Sequence, residues 1–259
     1  MKRSLINATV KDFPTRLHAF INGSAIYDSS SSPEARVFYI EKDGGYFLKR
    51  SPLGSLKKEA LMTEYFHTLA LSCEVVDYFS EECDWLLTRR IPGEDFTHYT
   101  DREIWLCDRL AEMLRELHER DFAAAPIKNR TEDYLNTARR NYKAGIFDTG
   151  LFEDRTIFED PDEAMRYIEG ECGALKSDTL LHGDYCLPNI IMNGDSFSGF
   201  IDLGGGGVGD RHIDIFWGAW TLNFNLKTDR YRERFYDAYG RDKLDEELIK
   251  LVSVIETFG

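Results

Sequence analysis

Two short apolar segments that end in polar turns constrain this chain more than any other feature. The first, residues 180–192, carries Asp184 and Asn189 in the pattern H-x-D-x4-N. The second, residues 200–204, carries Asp202 in the pattern D-L-G. Asp, Asn and Gly favour turns in any protein, so either turn alone would indicate only an ordinary β-turn. Both patterns in this order, separated by a predicted hairpin, indicate a chemical site.

The three polar side chains of these turns suit phosphoryl transfer. Asp184 can accept the proton of a substrate hydroxyl, whereas Asn189 and Asp202 offer the hard oxygen ligands that Mg²⁺ prefers. Such a reaction needs aligned oxygens and neutralised charge more than covalent chemistry. The pattern therefore predicts Asp184 as the catalytic residue, and Asn189 and Asp202 as magnesium ligands.

The sequence around the turns resembles one known family. Gly199 and Gly204 flank the second turn, and residues 210–214 read D-R-H-I-D. With the H-x-D-x4-N turn, these segments resemble the motifs of the aminoglycoside phosphotransferases. Within that family, the 3′-phosphotransferases that inactivate kanamycin and neomycin are the nearest branch. The resemblance covers nearly the whole chain.

This family resembles eukaryotic protein kinases in fold, which implies a fold class and a division of the chain. We expect an α+β, two-lobe, protein-kinase-like fold. A small antiparallel β N-lobe with one helix, residues 1–91, would bind ATP. A hinge would lie at about residues 88–93, where Pro92 and Gly93 interrupt regular structure. A larger, mainly helical C-lobe, residues 92–259, would hold the catalytic and substrate-binding residues.

Patterns in the N-terminal part predict several strands and one helix. The predicted strands cover residues 17–22, 35–40, 46–50, 75–79 and 85–88. Asp43 and two glycines after it form a hairpin signal between the second and third of these strands. Apolar residues at helical spacing predict a helix over residues 56–69.

Lys49 ends the third predicted strand. A lysine there is either a strand-edge charge or the lysine that reaches the phosphates of ATP. A kinase-like site needs a helix glutamate to orient that lysine, and the helical spacing places Glu59 on an inward turn. Alignment with the family favours Glu59 as this partner, with Glu64 as the second choice.

The resemblance implies further contacts to ATP. The serine-rich turn with Ser30 and Ser31 occupies the place of a phosphate-binding loop, although a plain solvated hairpin is the alternative. Phe47 matches an aromatic residue that stacks on adenine, although a core position would explain it equally. Backbone groups of Arg89 and Ile91 would bind the adenine edge.

The C-terminal part reads as helices. Apolar spacing predicts helices over residues 101–118 and 131–143. His118 is predicted to be a buried or capping histidine rather than a catalytic one. Asp214 precedes an apolar helix and is predicted as its N-cap. The resemblance implies that Asp214 also braces the catalytic loop by hydrogen bonding.

The resemblance also implies substrate contacts. Besides Asp184, the matching positions are Glu153 in an acidic segment, and Glu256 and Phe258 near the C-terminus. The acidic segment would otherwise be a solvated surface. One departure concerns Gly205, since the family commonly has arginine directly after D-L-G; this places in doubt one positive charge near the phosphates.

Composition limits the partners and the compartment. The 259 residues carry a formal net charge of −14, which disfavours nucleic acid and anionic membranes and suits a cationic substrate. The sequence has no apolar run of membrane-spanning length and no apolar run at its N-terminus that would act as a signal. Its five cysteines include no C-x-x-C pair. These features fit a cytoplasmic location. We also expect a monomer or weak homodimer, although composition does not decide the oligomeric state.

The sequence predicts an ATP- and Mg²⁺-dependent kinase of small molecules. The favoured reaction is phosphorylation of an aminoglycoside hydroxyl, the 3′-OH of the kanamycin and neomycin type, which would confer resistance. One alternative is a kinase for another small molecule, such as the streptomycin 3″-OH, choline, a sugar amine or a macrolide. A second alternative is a nucleotide-binding pseudokinase that serves as a scaffold.

Overall fold

The computed structural model describes residues 3–30, 35–148, 158 and 160–259. Internal packing divides the chain into two compact units. We call residues 1–95 with 190–204 the sheet unit, and residues 96–189 with 205–259 the helical unit. The segment 190–204 thus packs with the N-terminal residues. The predicted lobe boundary near residue 92 stays a prediction.

Strands and helices have the following bounds in the described residues. The strands are β1 Ser4–Leu5, β2 Ala25–Asp28, β3 Arg36–Glu41, β4 Tyr46–Ser51, β5 Val75–Ser80, β6 Asp84–Arg89, β7 Glu94–Asp95, β8 Thr179–Leu181, β9 Ile190–Asn193, β10 Ser196–Phe200 and β11 Gly207–Gly209. The helices are α1 His18–Ile21, α2 Lys57–Thr68, α3 Glu103–His118, α4 Arg130–Lys143, α5 Pro161–Glu171, α6 His212–Leu226, α7 Arg232–Tyr239 and α8 Glu246–Glu256.

The main sheet of the sheet unit is antiparallel, with strand order β1-β2-β3-β4-β6-β5. Side chains alternate between its two faces. On β4, Tyr46 and Leu48 are buried in the hydrophobic core, so Phe47 and Lys49 lie on the opposite face. The alternation therefore brings the predicted adenine-stacking aromatic residue and the predicted phosphate-binding lysine to one face of the sheet.

The predicted strand over residues 17–22 is wrong. This segment forms the end of a 3₁₀ turn and then α1. Leu17 and Ile21 are 0% and 3% exposed, and both pack in the same core as Phe13. Two residues four positions apart are neighbours on one side of a helix, so both can pack against the same small cluster. In an extended strand the same two side chains would lie far apart along the sheet.

A second sheet of the sheet unit has the order β10-β9-β7. It pairs the segment after the predicted hinge with the hairpin between the two polar turns. Gly93 has a φ of +121°, and a Cβ atom there would lie 2.1 Å from the Met192 carbonyl oxygen. Only glycine allows the two backbones to approach so closely.

The helical unit combines β8 and β11 with helices α3 to α8. Its core is formed by apolar side chains of α4, α5, α6 and α8, with Phe258 fully buried among them. The face of α3 that carries Leu106, Leu110, Leu114 and Leu117 is buried as well. In the described part of the chain, no helix combines the length and apolar character needed to span a membrane.

Candidate active site

Lys49, Glu59 and Asp202 form a charged network within the sheet unit. Lys49 Nζ donates to Glu59 Oε2 at 2.8 Å and to Asp202 Oδ1 at 2.8 Å. Glu59 lies in the first turn of α2 and is 8% exposed, whereas Glu64 is exposed on the same helix. The structure thus brings together Lys49 and the favoured glutamate rather than the second choice. The role of this pair in nucleotide binding stays a prediction.

The network keeps Lys49 charged. Burial opposes its positive charge, but the carboxylates of Glu59 and Asp202 outweigh burial and hold the pKa of Lys49 well above its ordinary value. Of the two carboxylates, that of Asp202 is the more exposed, with 49% of its side chain accessible against 11% for Glu59. An incoming anion could therefore displace Asp202 from Lys49 more readily than Glu59.

Asp202 holds an unusual backbone conformation. Its φ is +60°, in the left-handed region that few non-glycine residues adopt. Such conformations concentrate at functional sites. Lys49 binds Oδ1 of Asp202, and within the described residues no donor reaches its other carboxylate oxygen. Asp202 therefore presents one free, hard oxygen.

Asp214 fixes the H-G-D turn of the helical unit. Its carboxylate accepts the amide N–H groups of His182 and Gly183, each at 2.7 Å. The carboxylate is fully buried, so these neutral donors replace the water that would otherwise solvate its charge. The loop brace implied by the resemblance is therefore present in the structure.

His118 contacts the Asp214 carboxylate, and Tyr239 contacts His118 in turn. His118 Nε2 lies 3.2 Å from Asp214 Oδ2, and His118 Nδ1 lies 2.8 Å from the Tyr239 hydroxyl. Burial lowers the pKa of His118, so the ring is neutral. We assign the proton to Nε2, which then donates to Asp214 while Nδ1 accepts from Tyr239. The prediction that His118 is buried is confirmed.

The predicted N-cap role of Asp214 is wrong. Helix α6 begins at His212, so Asp214 is its third residue. Asp210 accepts instead from the amide of His212 at 2.9 Å and from its ring Nδ1 at 2.6 Å. With Asp210 serving the start of the helix, the Asp214 carboxylate is left to hold the loop.

Asn189 binds Asp184 directly. Its Nδ2 donates to Asp184 Oδ2 at 2.8 Å and to the Asp184 carbonyl oxygen at 3.0 Å. Nδ2 is thereby occupied, and among the described residues no donor reaches the side-chain carbonyl oxygen of Asn189. This oxygen, like the second carboxylate oxygen of Asp202 in the sheet unit, is the hard ligand type that Mg²⁺ prefers, so each residue by itself has the chemistry of a magnesium ligand. Their joint role as magnesium ligands stays a prediction.

Two glycines allow a close backbone approach beside the catalytic loop. Gly183 has a φ of +84°, and a Cβ atom on it would lie 1.8 Å from the Gly205 carbonyl oxygen. A Cβ atom on Gly205 would lie 2.7 Å from the Gly183 carbonyl oxygen. Neither position can hold a side chain without moving the other segment. The departure at Gly205 noted in the sequence therefore has a steric reason.

Glu256 is a half-buried acid within the helical unit. Its Oε1 accepts from the Tyr134 hydroxyl at 2.7 Å and from Trp217 Nε1 at 2.8 Å. Burial raises the pKa of Glu256 to about 7, although these two donors and Arg130 act to lower it. The charge of Asp184 also raises this pKa, so the predicted catalytic and substrate carboxylates act on each other electrostatically.

The other predicted substrate residues differ in placement. The Phe258 ring is 0% exposed and packs 5.0 Å from the Phe147 ring, so it offers no surface to a ligand. The Phe258 carbonyl accepts from Asn141 Nδ2 at 2.7 Å, which anchors the C-terminal tail. Glu153 lies outside the described residues.

The predicted phosphate-loop serine and adenine aromatic residue have local partners. Ser30 Oγ accepts from the Val37 amide at 2.9 Å, so this hydroxyl closes the hairpin between β2 and β3. Ser31 lies outside the described residues. Phe47 is half-buried, and its ring centroid lies 5.3 Å from that of Tyr39. Contacts of these residues with ATP stay predictions.

The two predicted hinge residues differ in their free backbone groups. The Arg89 amide donates to the Glu74 carbonyl at 3.0 Å, so it is not free to bind adenine. The Ile91 amide has no hydrogen-bond partner among the described residues. Of the two amides, only that of Ile91 is available to an adenine edge.

Sequence reasoning missed the residues that surround Glu256 and Gly205. Tyr134 and Trp217 bind Glu256, and Arg130 Nε donates to the Gly205 carbonyl oxygen. Arg130 and Tyr134 lie on α4, more than 70 residues along the chain from these partners. Helical spacing identifies buried faces, but it does not indicate which polar group a buried tyrosine or tryptophan will bind.

Comparison with known proteins identifies the family. A family model described as the phosphotransferase enzyme family matches residues 30–248. A protein of Lactococcus lactis subsp. lactis (strain IL1403), named a probable aminoglycoside 3′-phosphotransferase, is 48% identical over 262 residues, which cover 98% of each chain. The aminoglycoside 3′-phosphotransferase of Niallia circulans is 35% identical over 182 residues, which cover 68% of this chain and 67% of that one.

Solved structures show the same fold. An aminoglycoside-3′-phosphotransferase of type VIII has a TM-score of 0.79 at 22% identity, covering 96% of this chain and 99% of that chain. APH(3″)-Id from Streptomyces rimosus, in complex with ADP and streptomycin, has a TM-score of 0.78 at 21% identity, covering 96% and 98%. The predicted α+β, kinase-like fold class is confirmed, and so is the resemblance drawn from the motifs. By its family model and its full-length relative, this chain belongs to the phosphotransferase enzyme family.

Proposed function

We propose that the protein catalyses ATP-dependent phosphorylation of the 3′-hydroxyl of aminoglycosides of the kanamycin and neomycin type. This reaction would confer resistance in the cytoplasm, with the protein acting as a monomer or weak homodimer. The observation that carries the reaction is Asp184, bonded by Asn189 on a loop that Asp214 fixes. The names of the relatives and the net charge of −14 support a cationic aminoglycoside as the substrate.

In this proposal, Asp184 orients the substrate hydroxyl and accepts its proton. The hydroxyl oxygen forms a bond to the γ-phosphorus of ATP, the bond from that phosphorus to the bridging oxygen breaks, and ADP leaves. Asn189 Nδ2 holds the Asp184 carboxylate in one orientation, so the proton acceptor is already positioned when substrate binds.

Lys49 and Glu59 would bind the nucleotide phosphates. Glu59, buried on α2, holds Lys49 Nζ from one side. Phosphate oxygens would then take the place of the more exposed Asp202. Asp202 and Asn189 would each contribute an oxygen ligand to Mg²⁺, which when bound neutralises charge on the phosphates. Phe47, Ser30, Ser31 and the Ile91 amide complete the proposed nucleotide site, to which Arg89 could add only a group other than its occupied amide.

Carboxylates would bind the ammonium groups of the substrate. We assign this role to Glu256 and Glu153, beside Asp184. Phe258 would contribute by anchoring the tail that follows Glu256, since its ring is buried and its carbonyl is bonded to Asn141. An ionised Glu256 beside Asp184 has an electrostatic cost, and a substrate ammonium group would relieve it.

A substrate panel tests the proposal. We expect ATP turnover to rise with kanamycin and not with tobramycin, which lacks a 3′-hydroxyl, and NMR of the product to show phosphate at the 3′ position. Asp184→Ala should lower kcat about 10³-fold while ATP still binds. Asp242→Asn, which removes one exposed charge from the same unit, is the matched control.

The panel also separates the alternatives. Turnover with streptomycin alone would favour the 3″-hydroxyl, a candidate supported by the streptomycin-bound structure of similar fold. ATP binding without turnover on any aminoglycoside would contradict the proposed function and favour a scaffold.

A further inference from the structure

Arg130 is a cation beside the H-G-D turn that makes one hydrogen bond among the described residues. It is the first residue of α4, and its Nε donates to the Gly205 carbonyl oxygen. Its guanidinium carbon lies 5.5 Å from the centroid of the Tyr134 ring. Among the described residues Arg130 has no other hydrogen bond or ion pair, so within that part of the chain the guanidinium is anchored at Nε and neither amino group has a partner.

The charge of Arg130 lies close enough to the Glu256 carboxylate to act on it. Both Arg130 and Asp184 act electrostatically on Glu256, in opposite directions. A site that holds only a polycationic substrate gains nothing from a positive charge, because like charges repel at this range. The cation has a use if negative charge also arrives there. In phosphoryl transfer that negative charge is carried by the oxygens of the moving group.

The fold explains why this charge comes from α4 rather than from the turn itself. Gly205 follows D-L-G directly, but a Cβ atom there would lie 2.7 Å from the Gly183 carbonyl oxygen. The turn therefore cannot present a side chain of its own at this point. Arg130 reaches the same point from another element and binds the backbone carbonyl of Gly205.

We propose that Arg130 is a further catalytic residue, whose amino groups bind the non-bridging oxygens of the phosphoryl group as it reaches the hydroxyl held by Asp184. The inference rests on the proposed function. The bond to the hydroxyl oxygen forms, the bond to ADP breaks, and the proton passes to Asp184. Arg130 gains and loses no proton, since guanidinium stays charged at all working pH values.

The test compares Arg130→Ala and Arg130→Lys with Arg140→Ala, a matched control that removes an exposed arginine from the same helix. We expect Arg130→Ala to lower kcat about 100-fold with little change in the KM for kanamycin. Arg130→Lys should keep only part of the activity, because one ammonium nitrogen replaces the planar guanidinium whose separate nitrogens can span the carbonyl and the phosphoryl oxygens. Arg140→Ala should retain wild-type kcat.

Chemical rescue separates catalysis from bracing. Free guanidinium at low millimolar concentration should restore kcat of Arg130→Ala several-fold and leave Arg140→Ala unchanged. A kcat within twofold of wild type in Arg130→Ala would overturn the proposal. So would a low kcat that guanidinium does not restore and that accompanies a lowered Tm, because that result indicates a structural brace.

The outcome remains decisive if wild-type protein phosphorylates nothing on the panel. That result contradicts the proposed function. Line broadening of inorganic phosphate in ³¹P NMR would then be compared between wild type and Arg130→Ala. Broadening that Arg130→Ala abolishes supports an anion site at Arg130, and equal broadening in both proteins rejects it.

Discussion

The sheet unit and the helical unit hold their predicted site carboxylates in different ways. In the sheet unit, Asp202 is half-exposed and binds the charged Lys49. In the helical unit, Asp214 is fully buried and accepts two backbone N–H groups. A screened ion pair is weak and can exchange partners, whereas a buried carboxylate bonded by amides is costly to disturb. The pair of Lys49 and Asp202 can therefore change partners, whereas the turn bonded to Asp214 is held in place.

The largest effect should come from removing Asp214. In Asp214→Ala, the amides of His182 and Gly183 lose their buried acceptor, which should cost about 3–5 kcal/mol of unfolding free energy. The kcat should fall by about 10³-fold if the protein remains folded. Urea unfolding and steady-state kinetics measure these quantities. A drop in stability below ~1 kcal/mol would contradict the rigid half of the comparison.

Substitution of Lys49 tests whether its ion pair with Asp202 can exchange partners. Lys49→Ala should lower kcat/KM for ATP by about 10²–10³-fold if, as proposed, Lys49 is the cation that binds the phosphates. Stability should change less than in Asp214→Ala, because the Asp202 carboxylate can turn to solvent and because burial raises the pKa of Glu59, which favours its neutral form once Lys49 is gone. Lys49→Arg keeps the charge and serves as the control. Equal losses of stability in Lys49→Ala and Asp214→Ala would show that the Lys49–Asp202 ion pair is as costly to disturb as the buried Asp214 carboxylate, which contradicts the comparison.

Asp84 separates rigidity from function. This carboxylate of the sheet unit is fully buried and accepts from the Leu56 amide at 2.9 Å and the Ser80 hydroxyl at 2.7 Å. Burial opposes its charge, but these and neighbouring donors outweigh burial and lower the pKa of Asp84. Asp84→Asn should cost about 2 kcal/mol of stability, as a buried bonded charge does. Its kcat should stay within twofold of wild type, and a larger fall would implicate Asp84 in catalysis.

Glu256 offers the smallest effect, and it depends on pH. Burial raises the pKa of Glu256 to about 7, so the folded state binds this proton more tightly than the unfolded chain. Between the ordinary glutamate pKa and pH 7, this group therefore lowers stability as pH rises. Glu256→Gln should be more stable than wild type by about 2 kcal/mol at pH 8, with a much smaller gain at pH 5.

The same variant should bind kanamycin less well at pH 8. Loss of one partly screened carboxylate predicts a rise of about fivefold in the KM for kanamycin, with the KM for ATP unchanged. Below pH 7 the wild-type KM should rise toward that of the variant. A KM for kanamycin that does not respond to Glu256→Gln would remove Glu256 from the substrate site.

Local patterns predicted the residues whose spacing along the chain is itself informative. Asp184 and Asn189 lie five residues apart and bond to each other, and helical spacing from residue 56 was enough to place Glu59 inward. The strand prediction for residues 17–22 was wrong because a short apolar run has no clear period. Its burial pattern in the structure is that of a helix.

Contacts between residues far apart in the sequence could not be predicted from local patterns. Arg130 contacts Gly205 across 75 residues, and Tyr134 binds Glu256 across 122. Nothing in the neighbourhood of either residue in the sequence marks it, because the signal lies in how α4 packs within the helical unit. The departure at Gly205 was visible in the sequence, but its steric reason required the backbone of Gly183.

The paired glycines at 183 and 205 also bear on how this protein can change under drug selection. A methyl group at either position would collide with the opposing backbone, so no single codon change there opens a new contact to substrate. A saturation library covering both codons, grown under an aminoglycoside, should return glycine at both. Adaptation toward other drugs would then have to proceed through side chains on the surrounding helices, while both glycines stay unchanged.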